Sequence, residues 1–280
     1  MGTDIEKLVE SAITGDKKAL EDLVKRIQDQ VYRLALRMLG HPEDAEDAAQ
    51  EILIKVITHL SGFRKESAFL TWVYRISANH LLTTRKRRAE LRETNFEQCQ
   101  RQIDEGFAET WRPSMSEAEQ KIIVEELRLN CLQALLQCLD RNLRMAYALG
   151  EIFEVASGEG AYILDITPQA FRKRLSRARK LIRNFMRKNC GLINSRNPCH
   201  CSRLAPTAVK VGWVKPKKIL FASHKRRHPV PDFDESYLYE LGELKRVAAL
   251  FRSHPDYAAP EAFIVNIKAL LDSGRFKLLQ

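Results

Sequence analysis

The stretch PQAFRKRLSRARKLIRNFMRK, residues 168 to 188, decides how this chain is interpreted. Thr167 and Pro168 are a typical N-cap residue and a typical first helical residue. Apolar residues follow at spacings of four, three, four and three, which predicts a helix with one buried face: Phe171, Leu175, Ala178, Ile182 and Phe185. The remaining positions are rich in Arg and Lys, and no acidic residue interrupts them. Such a helix suits a DNA major groove, although a solvated charged face is the competing interpretation.

The charge of the whole chain points the same way. The 280 residues include 46 Lys and Arg against 36 Asp and Glu, a formal net charge of +10. Clustered positive charge favours a polyanionic partner such as nucleic acid. We find no signal peptide, lipidation motif or apolar run of membrane-spanning length, and therefore expect a cytoplasmic protein without membrane insertion.

Helical periodicity dominates and predicts an all-α fold of two small domains and an extension. Residues 1–88 form the first helical domain, and residues 89–115 are polar, weakly periodic and typical of a linker. Residues 116–189 form the second domain, which contains the basic helix in a helix-turn-helix. Residues 190–280 form a C-terminal extension that begins as a loop-rich, Cys-containing stretch and becomes helical from about residue 234.

An acidic helix face is predicted within DAEDAAQEILIKV, residues 44 to 56. Asp44, Asp47 and Glu51 share one face at spacings of three and four, with Gln50 alongside, while the opposite face is apolar. Acidic residues in a first turn also stabilise a helix through its dipole. The pattern alone leaves two interpretations open, a surface that docks a protein and a well-capped surface helix.

Aromatic and basic residues alternate in GFRKESAFLTWVYRISANHLL, residues 62 to 82, which the basic run 85–88 follows closely. Aromatic rings can stack on unpaired bases while cations track the phosphates. We expect Phe69, Val73 and Ile76 in the core, and Trp72 and Phe63 to be the better candidates for exposure. The loop between residues 60 and 69 would suit an extruded base.

Together these segments resemble the extracytoplasmic-function (ECF) group of bacterial sigma factors over roughly residues 15 to 188. The match is clearest in ITPQAFRKRLSRARKLIRNF, which resembles the −35-binding helix-turn-helix. The resemblance implies core RNA polymerase, through its β′ clamp and β flap, and promoter DNA as partners, with an anti-sigma factor as a further candidate. The linker would thread toward the RNA exit path, and catalysis would belong to the polymerase, so we do not expect an enzyme.

The resemblance also implies site residues. Asp44, Asp47, Gln50 and Glu51 would contact the polymerase. The −10 strand would be engaged by Phe63, Arg64, Trp72, Arg75 and Asn79, and its phosphates by Arg85, Lys86, Arg87 and Arg88. The −35 groove would be faced by Thr167, Gln169, Arg172, Lys173, Ser176 and Arg177, with Arg179 and Arg183 on phosphates.

The chain departs from the family pattern just before the basic helix, where it reads EVASGEGAYILD. Gly158 and Gly160 each weaken a helix by about 1 kcal/mol relative to Ala. Asp165 stands where the family usually has a turn glycine, and Asp tolerates the left-handed conformation better than most residues. We expect the fold to be kept and −35 affinity or specificity to be altered.

The extension carries a small group of metal-ligating residue types. Cys190, Cys199, Cys201 and His200 lie within twelve residues, and zinc takes four such ligands, so zinc is a candidate although no cofactor is required. A redox switch and three reduced structural thiols are the other two interpretations, and the spacing, which lacks a CxxC pair, does not choose among them.

Two broader alternatives follow. A stand-alone helix-turn-helix regulator with a metal- or thiol-sensing C-terminal segment explains the basic helix, but it leaves the acidic and aromatic-basic helices without a role. An independent enzyme is not expected, because no nucleophile–base pair, phosphate loop or paired carboxylates stand out. The amphipathic helices of the extension suggest that it regulates the sigma-like domains in cis.

Overall fold

The computed structural model describes residues 2–84, 95–106, 115–222 and 242–260 and the single positions 263, 265, 268 and 269. This part of the chain is helical, which confirms the all-α prediction. Its α-helices are α1 (Gly2–Ile13), α2 (Lys17–Leu39), α3 (Pro42–Thr58), α4 (Phe69–Thr83), α5 (Phe96–Asp104), α6 (Glu117–Gln137), α7 (Arg141–Tyr147), α8 (Ser157–Leu164), α9 (Pro168–Asn189), α10 (Cys201–Lys210) and α11 (Glu243–Arg252).

The chain divides into two compact units, each of which combines separate stretches of the sequence. The first contains residues 1–89, 155–171 and 257–280, and the second contains residues 90–154 and 172–256. The predicted linker contains helix α5, and the stretch predicted to be loop-rich contains helix α10. Most of the extension therefore belongs to the same compact unit as helix α6.

In the first unit, α2 is the central helix. Asp16 caps it by accepting hydrogen bonds from the N–H groups of Lys18 and Ala19, at 2.9 and 3.1 Å. Gly40 ends it in the left-handed region at φ 74°, where a glycine has no steric penalty. The apolar residues that recur at helical spacing along α2 are all buried: Leu20, Leu23, Val24, Ile27, Val31, Leu34, Ala35 and Met38.

The chain after α11 returns to this helix. Tyr257 is 1 % exposed, and the Arg37 guanidinium lies 5.7 Å from its ring centroid. Burial lowers the pKa of Arg37 to about 10. The Ala259 N–H donates to Asp29 Oδ1 at 3.0 Å, and the Phe263 ring meets Tyr32 edge-on at 6.2 Å. These contacts make the described tail of the extension part of the first unit.

The second unit is built around α6. One of its hydrophobic clusters combines residues of α5 and α6 with residues of the extension: Ile103, Ile123, Leu127, Cys199, Leu204, Ala205, Ala208 and Val214. The buried Glu126 carboxylate accepts the backbone N–H groups of residues 220, 221 and 222 at 2.9, 2.9 and 2.7 Å. Arg128, also buried, donates to Ser253 Oγ at 2.8 Å. A polar core of this kind is stable because each charge has hydrogen-bond partners.

The helix-turn-helix elements follow one another as predicted. Helix α8 ends at Leu164, its C-cap Asp165 adopts the left-handed conformation at φ 54° and ψ 47°, and α9 begins at Pro168. The Thr167 hydroxyl accepts the Ala170 N–H at 3.2 Å, so Thr167 caps α9. A Cβ at Gly160 would lie 2.4 to 2.9 Å from the ring of Phe171, so glycine permits the close packing of α8 on the first turn of α9.

Candidate nucleic-acid interface

Helix α9 has one buried and one exposed face. The buried face contains four of the five predicted residues, Phe171, Leu175, Ala178 and Ile182, with exposures of 0, 6, 0 and 0 %. Phe185 is only partly buried, and its neighbour Met186 is buried instead. The predicted base-facing side chains are all exposed: Gln169, Arg172, Lys173, Ser176 and Arg177. Polar and basic side chains thus line one continuous helix face, as major-groove reading requires.

The two arginines predicted to hold phosphates differ in their surroundings. The Arg179 Nε donates to Glu151 Oε2, and Arg252 of α11 lies 3.4 Å from the other oxygen of that carboxylate. Arg183 is half-exposed. Arg179 is therefore engaged within the second unit, while its side chain keeps 46 % of its surface exposed.

The acidic face of α3 differs from the prediction at one residue. Asp47 and Glu51 are exposed and Gln50 is half-exposed, but Asp44 is 6 % exposed and lies on the buried side of the first turn. Glu43, not predicted, is exposed and stands four residues before Asp47. The exposed acidic positions therefore repeat every four residues. Burial and the carboxylates of Glu43 and Asp47 raise the pKa of Glu46 on the same helix.

Phe63 and Trp72, the two aromatic residues predicted to be exposed near α4, belong to an aromatic cluster. Phe63 is buried, which contradicts the prediction of its exposure, because its ring packs 5.3 Å from Phe69 and 5.4 Å from Trp72. Trp72 is half-exposed and stacks on Phe69 at 5.7 Å. Phe69 and Val73 are buried as predicted, whereas Ile76 is only half-buried. Arg64 and Asn79 are exposed.

Arg75 is held by helix α8. Its guanidinium lies 4.8 Å from the Tyr162 ring centroid and forms a 3.1 Å ion pair with Asp165. One turn earlier, the Thr71 hydroxyl donates to Glu159 Oε1. The predicted −10 helix and the first helix of the helix-turn-helix are thus in direct contact within the first unit. The basic residues Arg85, Lys86, Arg87 and Arg88 lie outside the described residues.

The cysteines of the extension share a small apolar cavity of about 30 Å³ with a fourth thiol. Cys190, Cys199 and Cys201 line it together with Cys131 of α6, and His200 is not among the lining residues. Burial raises the pKa of each of the four thiols, that of Cys199 to about 12. Within the described ranges, no three His, Cys, Asp or Glu side chains form a group arranged to hold a metal ion.

Two residues of interest, Lys180 and Cys131, were not predicted from the sequence as site residues. Lys180 is exposed and continues the spacing of the base-facing positions, since it follows Ser176 by four residues and Arg177 by three; the same spacing could have identified it. Cys131 lies 59 residues before Cys190, and no local pattern links it to the other thiols. Among the residues searched, no helix is long and apolar enough to cross a bilayer.

Comparison with known proteins identifies relatives of this chain. The Sigma-70 region 2 family matches residues 23–90, which contain α3 and α4. The ECF RNA polymerase sigma-E factor of Escherichia coli is 34 % identical over 180 residues, covering 63 % of this chain and 91 % of the relative. The RNA polymerase sigma-H factor of Pseudomonas aeruginosa is 30 % identical over 181 residues, with the same coverages. The chain therefore belongs to the ECF sigma factors and is a sigma factor that directs transcription initiation by RNA polymerase on promoter DNA.

Proposed function

We propose that the exposed face of α9 reads the −35 element. Gln169, Arg172, Lys173, Ser176 and Arg177 would face the base edges, joined by Lys180, with Arg and Lys toward guanine and Gln toward adenine. Thr167, the N-cap residue of α9, would lie beside the DNA backbone, where Arg179 and Arg183 would hold phosphates. The observation that carries this proposal is the division of α9 into a buried apolar face and an exposed face without acidic side chains.

The aromatic-basic segment around α4 would engage the −10 strand. Trp72, Arg64 and Asn79 are accessible for this role, and Arg75 would become so when it leaves Asp165 and Tyr162. The burial of Phe63 gives it the role of positioning the Trp72 ring rather than of stacking on a base. The residues 85–88 would add phosphate contacts.

The acidic face of α3 would dock on the β′ clamp of core RNA polymerase. Asp47, Gln50 and Glu51 keep the role assigned to them, and Glu43 takes the place of the buried Asp44. The second unit would contact the β flap, and an anti-sigma factor is a further candidate partner. As a sigma factor the protein would work in the cytoplasm, and the linker would approach the RNA exit path.

Zinc at Cys190, Cys199, Cys201 and His200 stays a proposal that rests on the residue types alone, because the described side chains form no group arranged to hold a metal ion. Elemental analysis of the purified full-length chain tests it. One zinc per chain, lost on mutation of Cys199, supports the site. A chain that folds and binds DNA without zinc contradicts it.

The −35 assignment is tested by selecting duplexes from a random pool with the full-length protein and comparing variants on single-base substitutions of the selected site. Arg172→Ala should cost about 1–3 kcal/mol at one base pair and relax specificity there. Arg196→Ala removes one exposed charge outside α9 and is the matched control. Equal, sequence-independent losses for both variants would contradict base reading by Arg172.

A further inference from the structure

Two cysteines far apart in the sequence meet at one end of α6. Cys99, on α5, and Cys138, which ends α6, are separated by 39 residues, and their Sγ atoms lie 3.5 Å apart. Closing this distance to a disulfide bond of about 2 Å needs a movement of about 1.5 Å.

Helix α5 is held in the position that brings the two sulfurs together. Its Ile103 belongs to the hydrophobic core of the second unit, and its Phe96 ring packs 5.4 Å from the ring of Phe185. Phe96, Cys99 and Ile103 follow one another at spacings of three and four, so the thiol lies on the same face as the two packing residues. The meeting of the sulfurs thus follows from the packing of α5.

We propose that Cys99 and Cys138 form a reversible disulfide when hydrogen peroxide oxidises the protein, and that this bond fixes helix α5 onto α6. The proposed effect on transcription rests on the proposed function, in which the linker that contains α5 approaches the RNA exit path. A disulfide of this kind suits a reducing compartment, where such bonds are transient and redox-sensing.

The two thiols differ in a way that gives each a role. The hydrogen bond between the two thiols lowers the pKa of Cys99, whereas the pKa of Cys138 is raised by the same interaction and by burial. The thiolate, which is the reactive form, is thus favoured at Cys99. The four thiols of the apolar cavity all have raised pKa values, so peroxide should oxidise Cys99 in preference to them.

The chemistry balances with one equivalent of peroxide. The Cys99 thiolate attacks one peroxide oxygen, the O–O bond breaks, and Cys99 becomes a sulfenic acid while hydroxide leaves and takes a proton from solvent. Cys138 releases its proton to solvent and attacks the Cys99 sulfur. The S–S bond forms, the S–O bond breaks, and the second hydroxide is protonated. Two thiols and one hydrogen peroxide therefore give one disulfide and two waters.

Peptide mapping of the reduced full-length chain, treated with hydrogen peroxide and digested with trypsin, tests the bond directly. The expected product joins peptide 93–101 to peptide 129–141, and fragment ions distinguish Cys138 from Cys131 in the second peptide. The bond should disappear in dithiothreitol and in Cys99→Ser, and should persist in the control Cys131→Ser. A linkage of Cys99 to Cys131, or unlinked Cys99 after peroxide treatment, overturns the proposal.

A second measurement tests the same proposal by trapping the sulfenic acid at Cys99. In Cys138→Ser, Cys99 should accumulate as a sulfenic acid that dimedone traps, and in the wild-type chain trapping should be weaker because Cys138 consumes the intermediate. Equal trapping in both proteins overturns the resolving role of Cys138. The oxidised wild-type chain should also unfold at a higher temperature than the reduced chain, because the bond closes a loop of about 40 residues.

Run-off transcription with core RNA polymerase then tests whether the disulfide lowers transcription initiation. Oxidised wild-type protein should initiate less than reduced protein, and the Cys99→Ser, Cys138→Ser double variant should be insensitive to peroxide. If initiation is unchanged although the disulfide has been mapped in the same protein, the proposed regulation is overturned. The disulfide itself would still be established. Absence of initiation by the reduced chain as well contradicts the proposed function, and the mapped bond is unaffected by that result.

Discussion

At the scale of single residues, the packing of Phe171 explains an unusual feature of the sequence. Its ring occupies the space that a side chain at residue 160 would need, whereas nothing lies within 4 Å of a Cβ at Gly158. Two glycines that look equivalent in the sequence therefore differ in their structural roles. Helix propensity treats both as weak points, because it does not include contacts with neighbouring elements.

Gly160→Ala should destabilise the protein by about 1–3 kcal/mol, since the new methyl group overlaps an aromatic ring that is itself fully buried. Gly158→Ala is the matched control and should leave stability unchanged or raise it by up to about 1 kcal/mol. Urea unfolding followed by circular dichroism measures both. Equal effects of the two substitutions would show that the close approach of Phe171 has no energetic consequence.

Glu126 is a buried carboxylate that holds three backbone N–H groups of the second unit. Glu126→Ala leaves one buried and two partly buried backbone N–H groups without their acceptor, and we expect a loss of about 3 kcal/mol. Glu117→Ala, on the exposed first turn of the same helix, should cost less than about 1 kcal/mol. A loss below about 1 kcal/mol for Glu126→Ala in the same unfolding assay would contradict the role of the buried carboxylate.

At the scale of elements, the contact between α4 and α8 places the predicted −10 helix against part of the helix-turn-helix. Arg75 cannot pair with Asp165 and hold a DNA phosphate with the same donors at once. The contact therefore competes with the proposed −10 role of Arg75. Its ion pair is largely exposed, so the competition is weak and reversible.

Asp165→Asn should strengthen binding of a single-stranded −10 oligonucleotide about two- to fivefold. Asn can adopt the same left-handed conformation, but it cannot form the ion pair with Arg75. Glu66→Gln removes one exposed negative charge from the same unit and controls for the general effect of charge on DNA binding. Fluorescence anisotropy at fixed salt measures both. An equal gain in the two variants would argue against competition by Asp165.

The sequence predicted these elements well where the information is local. The apolar spacing of α9, its N-cap and the left-handed Asp165 are all set by neighbouring residues, and the structure confirms them. Asp44 and Phe63 were misplaced for different reasons. Asp44 lies close to the boundary between the two faces of α3, and the burial of Phe63 depends on an aromatic cluster whose members are several residues away.

At the scale of the whole molecule, the extension is divided between both units. Residues 199–214 contribute to the core around α6, while Tyr257 and Phe263 pack in the first unit. The sequence separated residues 190–280 because the composition changes at residue 190. It could not show that Glu126 meets backbone groups about 95 residues away, because no periodic pattern links such positions.

A fragment of residues 1–189 should therefore fold poorly. It loses five of the eight buried residues of the hydrophobic cluster around α6 and all three donors to Glu126. Compared with the full chain by circular dichroism melting and limited proteolysis, it should lose cooperative unfolding in the part that contains α6. A fragment that melts as cooperatively as the full chain, with α6 equally protected, would show that the extension is a separate module.

Run-off transcription with purified core RNA polymerase and the full-length reduced chain, on a library of random promoter templates, tests whether the protein acts as a sigma factor through both proposed DNA contacts. We expect initiation that depends on this protein, at defined start sites that share a −10 and a −35 element. Arg172→Ala should change the preferred bases of the −35 element only. Binding of duplex DNA without any protein-dependent start site would contradict the sigma-factor function and support a stand-alone helix-turn-helix regulator.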